Sequence, residues 1–190
     1  MNASRTLRDI SGLDDTLPRL ADTTLIMIDF QNTYRTGVMT LDGAEPALAA
    51  GAPVVHVVND GGEGTPYDIR AEIGAISPEV APVAGEPVVV KQVPDAFHAT
   101  DLEKTLRELG AGPDLVLAGF MTHMCVTFTA QGAFNRGYRP TVVAEATATR
   151  ALPAPDGATV PAAALQSAAL TTVADLFGVV APTVGHLTRD

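Results

Sequence analysis

The stretch from Asp114 to Arg136 constrains this chain more than any other. Leu115-Val-Leu-Ala118 is apolar at every position, without the alternation of a half-exposed strand, and suits a fully buried parallel strand. Val126, Thr129, Ala130, Ala133 and Phe134 then recur at the i, i+3, i+4, i+7, i+8 spacing of a helix with one core-facing side. The period changes across a turn containing Gly119, and Thr122 or His123 falls where the helix needs its N-cap. Cys125, the single cysteine, is thereby placed in the first helical turn. There the helix dipole and unpaired N–H groups push a thiol toward thiolate, and the same donors suit an oxyanion. Taken alone, the position favours a blander reading, a small buried hydrophobe.

Five more apolar runs extend the pattern: Thr24-Leu-Ile-Met-Ile28 and residues 51–58, 87–90, 139–144 and 178–181. Between them lie segments for helices. Residues 40–50 sit at the lower limit for a parallel crossover. Thr100-Asp-Leu-Glu103 reads as a capping box opening a helix that Gly110 stops, and residues 160–176 form a last amphipathic helix. Residues 59–86, rich in Gly and Pro, read as a long functional loop with one short helix near residues 69–76. Alternating strands and helices predict an α/β fold: a doubly wound, mostly parallel six-stranded sheet with helices on both faces, a Rossmann-like three-layer α/β/α arrangement. Residues 1–21 read as an arm or short helix lying on the domain or on a neighbouring subunit, and 22–190 as a single domain.

Twelve Lys+Arg against 22 Asp+Glu give a formal charge of −10 without a concentrated run, which argues against nucleic acid and anionic membranes as partners. No apolar run approaches the roughly 18 residues of a membrane span. One cysteine makes no internal disulfide, and no basic, apolar leader precedes residue 20, so a reducing cytoplasm is the expected setting. The expected partners are a small-molecule substrate and further copies of the chain, as a dimer or tetramer.

Three of the runs end in chemistry. Asp29 follows the run at 24–28, Lys91 follows the run at 87–90, and Cys125 follows the strand at 115–118. All three fall on the carboxyl edge, where open parallel sheets bind ligands. Together they supply covalent acyl transfer: Cys125 as nucleophile, Lys91 as the cation that holds a thiolate, Asp29 as the base that takes the thiol proton and returns it to a leaving group. Burial would raise the Asp29 pKa toward the useful range. His56, inside an apolar run, reads as a satisfied core histidine. No Gly-x-Gly-x-x-Gly follows the first strand, which disfavours a dinucleotide-binding domain.

The order Asp29-Phe-Gln, then Lys91 with Asp95-Ala-Phe97 following, then Gly119-Phe-Met-Thr-His-Met-Cys125-Val and Thr129-Ala, resembles the isochorismatase-like cysteine hydrolases over roughly residues 22–181. The resemblance implies a catalytic triad of Asp29, Lys91 and Cys125. It also implies a non-proline cis peptide between Phe120 and Met121, with the Met121 and Cys125 N–H groups forming the oxyanion hole. Members that cleave isochorismate, a vinyl ether, lack the cysteine, so its presence implies hydrolysis of a C–N bond in an amide, lactam or carbamoyl group. The Asp-x-His metal site of nicotinamidases has no counterpart here, since the histidines stand scattered at 56, 98, 123 and 186. The expectation is therefore a cysteine amidohydrolase with no cofactor and no catalytic metal. Tyr34, Phe97, His123 and Phe128 are candidates to line the pocket, each with ordinary packing as its alternative. The rival readings are the same machinery acting on an ester or vinyl ether, and a catalytically silent binding protein of the same fold.

Overall fold

The computed structural model describes residues 4–35, 39 and 52–187. Six strands form one parallel sheet: β1 (Thr24–Ile28), β2 (Val54–Asn59), β3 (Val88–Lys91), β4 (Asp114–Phe120), β5 (Arg139–Ala148) and, at the far edge, the late strand Val179–Ala181. A short antiparallel pair, β6 (Leu152–Pro153) and β7 (Thr159–Val160), precedes that last strand, β8. Sequence reading leaves this pair as a loop, because two-residue strands carry no period.

The spatial order is β3-β2-β1-β4-β5-β8. The chain winds outward from β1 to β3, then returns to lay β4 against the other side of β1. The carboxyl ends of β1 and β4 therefore flank the point where the winding reverses, the crevice in which doubly wound sheets hold their ligands. All five residues of β1 are buried, as the unbroken apolar run requires of a strand covered on both faces. At the outer edge β3 alternates instead, with Val89 and Lys91 buried and Val88 and Val90 exposed.

Helices α2 (Leu102–Glu108), α3 (Thr127–Asn135) and α4 (Ala162–Thr172) follow the predicted segments. One face of the sheet, through Ile26, Ile28, Val57, Leu115, Leu117 and Val142, packs on Leu102 and Leu106 of α2 and on Val126, Ala130 and Ala133 of the α3 region. The opposite face, through Leu25, Met27, Val116, Ala118 and Val143, is covered among the described residues by Leu20, Phe30, Tyr34, Val80 and Leu187, which come from irregular segments and 3-10 turns. The expected crossover helix at 40–50 lies outside the described residues.

Three local expectations change. The short helix expected at 69–76 is a 3-10 turn, Glu72–Gly74, followed by a second at Pro78–Val80. The box at the start of α2 does not close: the Leu102 N–H donates to the Thr100 hydroxyl at 3.2 Å, while Glu103 turns outward to Arg107 at 3.1 Å and Arg136 at 3.5 Å. Neither Thr122 nor His123 caps the cysteine helix. Met121 holds the cap position without a side-chain bond, and a π turn, Thr122–Val126, precedes α3. The N-terminal arm lies on its own domain: α1 (Leu7–Ser11) donates its Leu7 N–H to Asp175 at 2.9 Å, and the buried Arg8 reaches Asp15 at 2.6 Å and the Leu176 carbonyl at 3.3 Å.

Candidate active site

Asp29 leaves β1 with φ 55, a left-handed conformation that Asp tolerates better than most side chains, and so turns its carboxylate back over the strand end. Its N–H still bonds to the Val57 carbonyl at 2.8 Å, so the turn is anchored to β2. Gly119 makes the adjoining approach possible. It has φ 127, and a Cβ there would stand 1.9 Å from the Ile28 carbonyl oxygen, which no side chain permits. The next peptide bond, Phe120-Met121, is cis. Phe120 is wedged between Phe30 and Tyr34, with ring centroids at 4.9 and 5.3 Å, so aromatic packing ties the exits of β1 and β4 together.

Lys91 enters from β3, two strands away from β1, a gap of about 10 Å that its long side chain crosses. Its ammonium meets three partners: Asp29 Oδ2 at 2.8 Å, Cys125 Sγ at 3.2 Å and Asn59 Oδ1 at 3.2 Å. The contacts with Sγ and Asn59 Oδ1 are hydrogen bonds, and that with Asp29 is an ion pair. Sequence reading missed Asn59 and the role of Gln31. The Gln31 amide accepts from the Asn59 N–H at 3.0 Å and donates to the carbonyls of Asn59 at 3.0 Å and Gly74 at 2.7 Å. It thereby fixes the end of β2, and with it the oxygen that holds Lys91. The one available signal was their place, each just past or at a strand's carboxyl end.

On the other side, α3 is clamped to the loop after β3. The Thr129 hydroxyl accepts from the Ala96 N–H at 3.1 Å, and a Cβ on Gly132 would stand 2.3 Å from Asp95 Oδ1. This contact sets the distance between the strand that carries Lys91 and the helix that carries Cys125. The Met121 carbonyl accepts from the N–H groups of Met124 at 3.0 Å and Val126 at 3.3 Å, passing over that of Cys125.

Asp29, Lys91 and Cys125 are 0%, 1% and 9% exposed, so solvent screens their charges little. Burial raises the Asp29 pKa, and the Lys91 charge opposes it without prevailing. Burial alone would lower Lys91, but Asp29 and Cys125 outweigh it and keep the ammonium charged. Cys125 is pushed up to about 12, first by burial and then by the Asp29 charge. The expectation of a thiolate at rest is therefore corrected. A dry pocket with one cation balances one anion, and the carboxylate and thiol share a single proton between them. Moving that proton from Sγ to Asp29 leaves the net charge unchanged, so the thiolate is reached without importing charge.

Of the pocket candidates, Tyr34 is buried beside this group, its hydroxyl 3.0 Å from that of Tyr67. Tyr67 comes from the long loop and was not anticipated. His123 lies two residues before Cys125, its Nδ1 2.5 Å from the Thr149 hydroxyl. Phe128 is 41% exposed on the following helix. Phe97 is buried in the same core cluster as Cys125, its ring stacked on Tyr138 at 5.8 Å with the Arg136 guanidinium 4.9 Å over its centroid. His56 is buried and paired with Glu86 at 2.9 Å, as a core histidine should be. Among the described residues no cluster of three or more His, Cys, Asp or Glu side chains is placed to hold a metal ion. A cavity of about 360 Å³ lies at the amino edge, where Arg8 and Arg139 are already paired with Asp15 and Asp114.

The doubly wound sheet thus brings a buried carboxylate, ammonium and thiol together at its switch point. The model of the Isochorismatase domain matches residues 23–183, and the chain belongs to the isochorismatase family of hydrolases. It is 32% identical over 90% of its length to a secreted isochorismatase effector of Verticillium dahliae, 93% of which is covered. A streptothricin hydrolase of Streptomyces noursei is 34% identical over 76% of this chain and 62% of its own. Among solved structures, an isochorismatase from Pseudomonas putida KT2440 superposes with a TM-score of 0.89 at 36% identity, over 96% of this chain and 99% of that one.

Proposed function

We propose that this protein is a cysteine amidohydrolase that cleaves a C–N bond of a small amide, lactam or carbamoyl compound through a thioester, using side chains alone. The observation that carries the reading is the buried contact of Lys91 with both Asp29, at 2.8 Å, and Cys125, at 3.2 Å. Substrate binding triggers transfer of the Cys125 proton to Asp29, and the thiolate, paired with Lys91, attacks the carbonyl carbon. The N–H groups of Met121 and Cys125 receive the oxyanion; one such donor is worth roughly 3 kcal/mol in a preorganised site. The C–N bond then breaks as Asp29 protonates the departing nitrogen. Asp29, ionised again, draws a proton from water, which attacks the thioester and frees the acid and the thiol. The streptothricin hydrolase among the relatives supports a hydrolytic role for this scaffold.

A cytoplasmic enzyme acting as a homo-oligomer belongs to the same proposal. Val88 and Val90, 46% and 44% exposed on the edge strand, offer an apolar strip for a second copy, and among the described residues no helix is long and apolar enough to cross a membrane. The test is a panel of primary amides, lactams and carbamoyl compounds, each beside its ester, with ammonia or amine release recorded for the wild type and Cys125→Ser. Release that disappears in the variant, with an acyl adduct on Cys125 by intact mass, supports the proposal. Turnover of esters or vinyl ethers alone, or full activity without the thiol, sinks it.

A further inference from the structure

The hollow of about 360 Å³ at the amino edge lies between the N-terminal arm and the starts of β4, β5 and β8. A volume of this size holds a small organic molecule. Its apolar wall is Leu17 of the arm, Phe134 on α3, Tyr138, Phe177 and Val179, all half-buried. Aromatic residues make up 5% of the chain, yet three share this wall, so their concentration sets the class of ligand. The rings are held in advance: Phe134 meets Phe177 edge to face at 6.1 Å, and Tyr138 stacks on Phe97 at 5.8 Å. A flat apolar molecule seated there would cover ring surface that now faces water.

Charge narrows the class further. Arg8, Arg139, Asp14 and Asp114 share the wall, two of each sign, and all four are engaged. Arg8 donates to Asp15 at 2.6 Å and to the Asp14 carbonyl at 2.6 Å, Arg139 pairs with Asp114 at 2.5 Å, and the Asp14 carboxylate accepts from the Thr16 N–H at 2.8 Å. Among the described residues, none of the buried side-chain atoms that lack a partner belongs to this wall. A carboxylate or an ammonium would have to break one of these pairs to gain its own partner, a loss that an uncharged molecule does not incur. The rings also lead toward the nucleophile. Phe134 lies on α3, which continues directly from the π turn that carries Cys125. Tyr138 stacks on Phe97, whose neighbour Ala96 is tied to Thr129 at the start of the same helix.

We propose that this hollow binds an uncharged molecule of one or two aromatic rings and serves as an effector site, its occupancy changing the reactivity of Cys125 from the opposite edge of the sheet. The ligand presses on both sides of the clamp that spaces Lys91 from Cys125, through α3 on one side and through the Tyr138–Phe97 stack on the other. Nothing in this depends on which bond the enzyme cleaves.

The test uses indole as the probe and benzoate as its charged competitor. The chain has three tyrosines and no tryptophan, so indole is excited apart from the protein and its fluorescence anisotropy reports binding directly. Binding is measured in the wild type and in Thr16→Phe, a substitution at an exposed arm position that brings a ring into the hollow, with Leu17→Phe as a second variant and Tm confirming that each folds. The expected result is saturable binding to the wild type that benzoate does not displace, weakened about tenfold or more in the variants. Indole at saturation should also change the rate of Cys125 alkylation by iodoacetamide by about fivefold or more in the wild type, at a pH where labelling is measurable, and leave Thr16→Phe unaffected. No binding, or equal binding to all three proteins, overturns the site. Displacement by benzoate overturns the uncharged class, and binding that leaves alkylation unchanged overturns the effector role. Indole that no longer binds once Cys125 is carbamidomethylated sits in the catalytic crevice, which overturns the site as well.

Discussion

Removing the Asp29 carboxylate should make the Cys125 thiol more acidic. Asp29→Asn keeps the size of the side chain and tolerates the φ of 55, so the turn after β1 is preserved. What changes is the charge: the thiol no longer faces a carboxylate, and Lys91 is left with no other anion within reach. At 3.2 Å and an effective dielectric of about 20, attraction between the ammonium and a thiolate is ~5 kcal/mol, close to four powers of ten in the ionisation constant. Burial opposes this attraction in both proteins, and what the substitution removes is the Asp29 charge, so the Cys125 pKa should fall from about 12. The assay is iodoacetamide labelling followed by intact mass as a function of pH. At about pH 8 the variant should label at least ~10-fold faster than the wild type. Amide turnover should nevertheless drop by roughly 10²–10⁴, because no group remains to protonate the leaving nitrogen. A thiol in Asp29→Asn that titrates at or above the wild-type value would refute the shared-proton account.

Lys91→Met strands Asp29 without its counterion and should destabilise the fold by roughly 3–5 kcal/mol near neutral pH. The folded-state pKa of Asp29 is raised, so its proton contributes stability at low pH that is lost as pH rises; the deficit in urea unfolding should shrink on acidification. Cys125 also holds its proton more tightly when folded, from 9.0 to about 12, so this contribution is intact below pH 9 and lost as pH climbs toward 12. Cys125→Ser should flatten that alkaline decline in chemical denaturation. Gly119→Ala places a Cβ against the Ile28 carbonyl oxygen and should cost at least ~3 kcal/mol, read as a large fall in Tm or loss of soluble protein.

The sheet was legible because β1 and β4 are buried on both faces and must be apolar throughout, a pattern that hydrophobicity alone reveals. The strand ends that carry Asp29, Lys91 and Cys125 followed from the same runs. The protonation of Cys125 did not. Residue order shows a thiol at a helix start, but its ionisation depends on a carboxylate 96 positions earlier (125 − 29 = 96) that folding places beside it. Asn59 and Gln31 escaped notice for a related reason: each is an ordinary polar residue at a strand end, and only the register of β2 with β3, Asn59 against Lys91, makes one the tether of the ammonium.

The strand order also sets a schedule for synthesis. β1, β2 and β3 leave the ribosome first and can pair among themselves, but one edge of β1 stays open until β4, which begins 86 residues after Ile28, has emerged. That edge is a fully apolar strand with unpaired backbone groups, the kind of surface on which nascent chains cross-pair. Slow translation between Asn59 and Asp114 would lengthen this exposed interval, and a chaperone that shields Thr24–Ile28 would shorten its consequences. Yield of folded protein should therefore respond to codon choice in that interval more than to codons after Phe120.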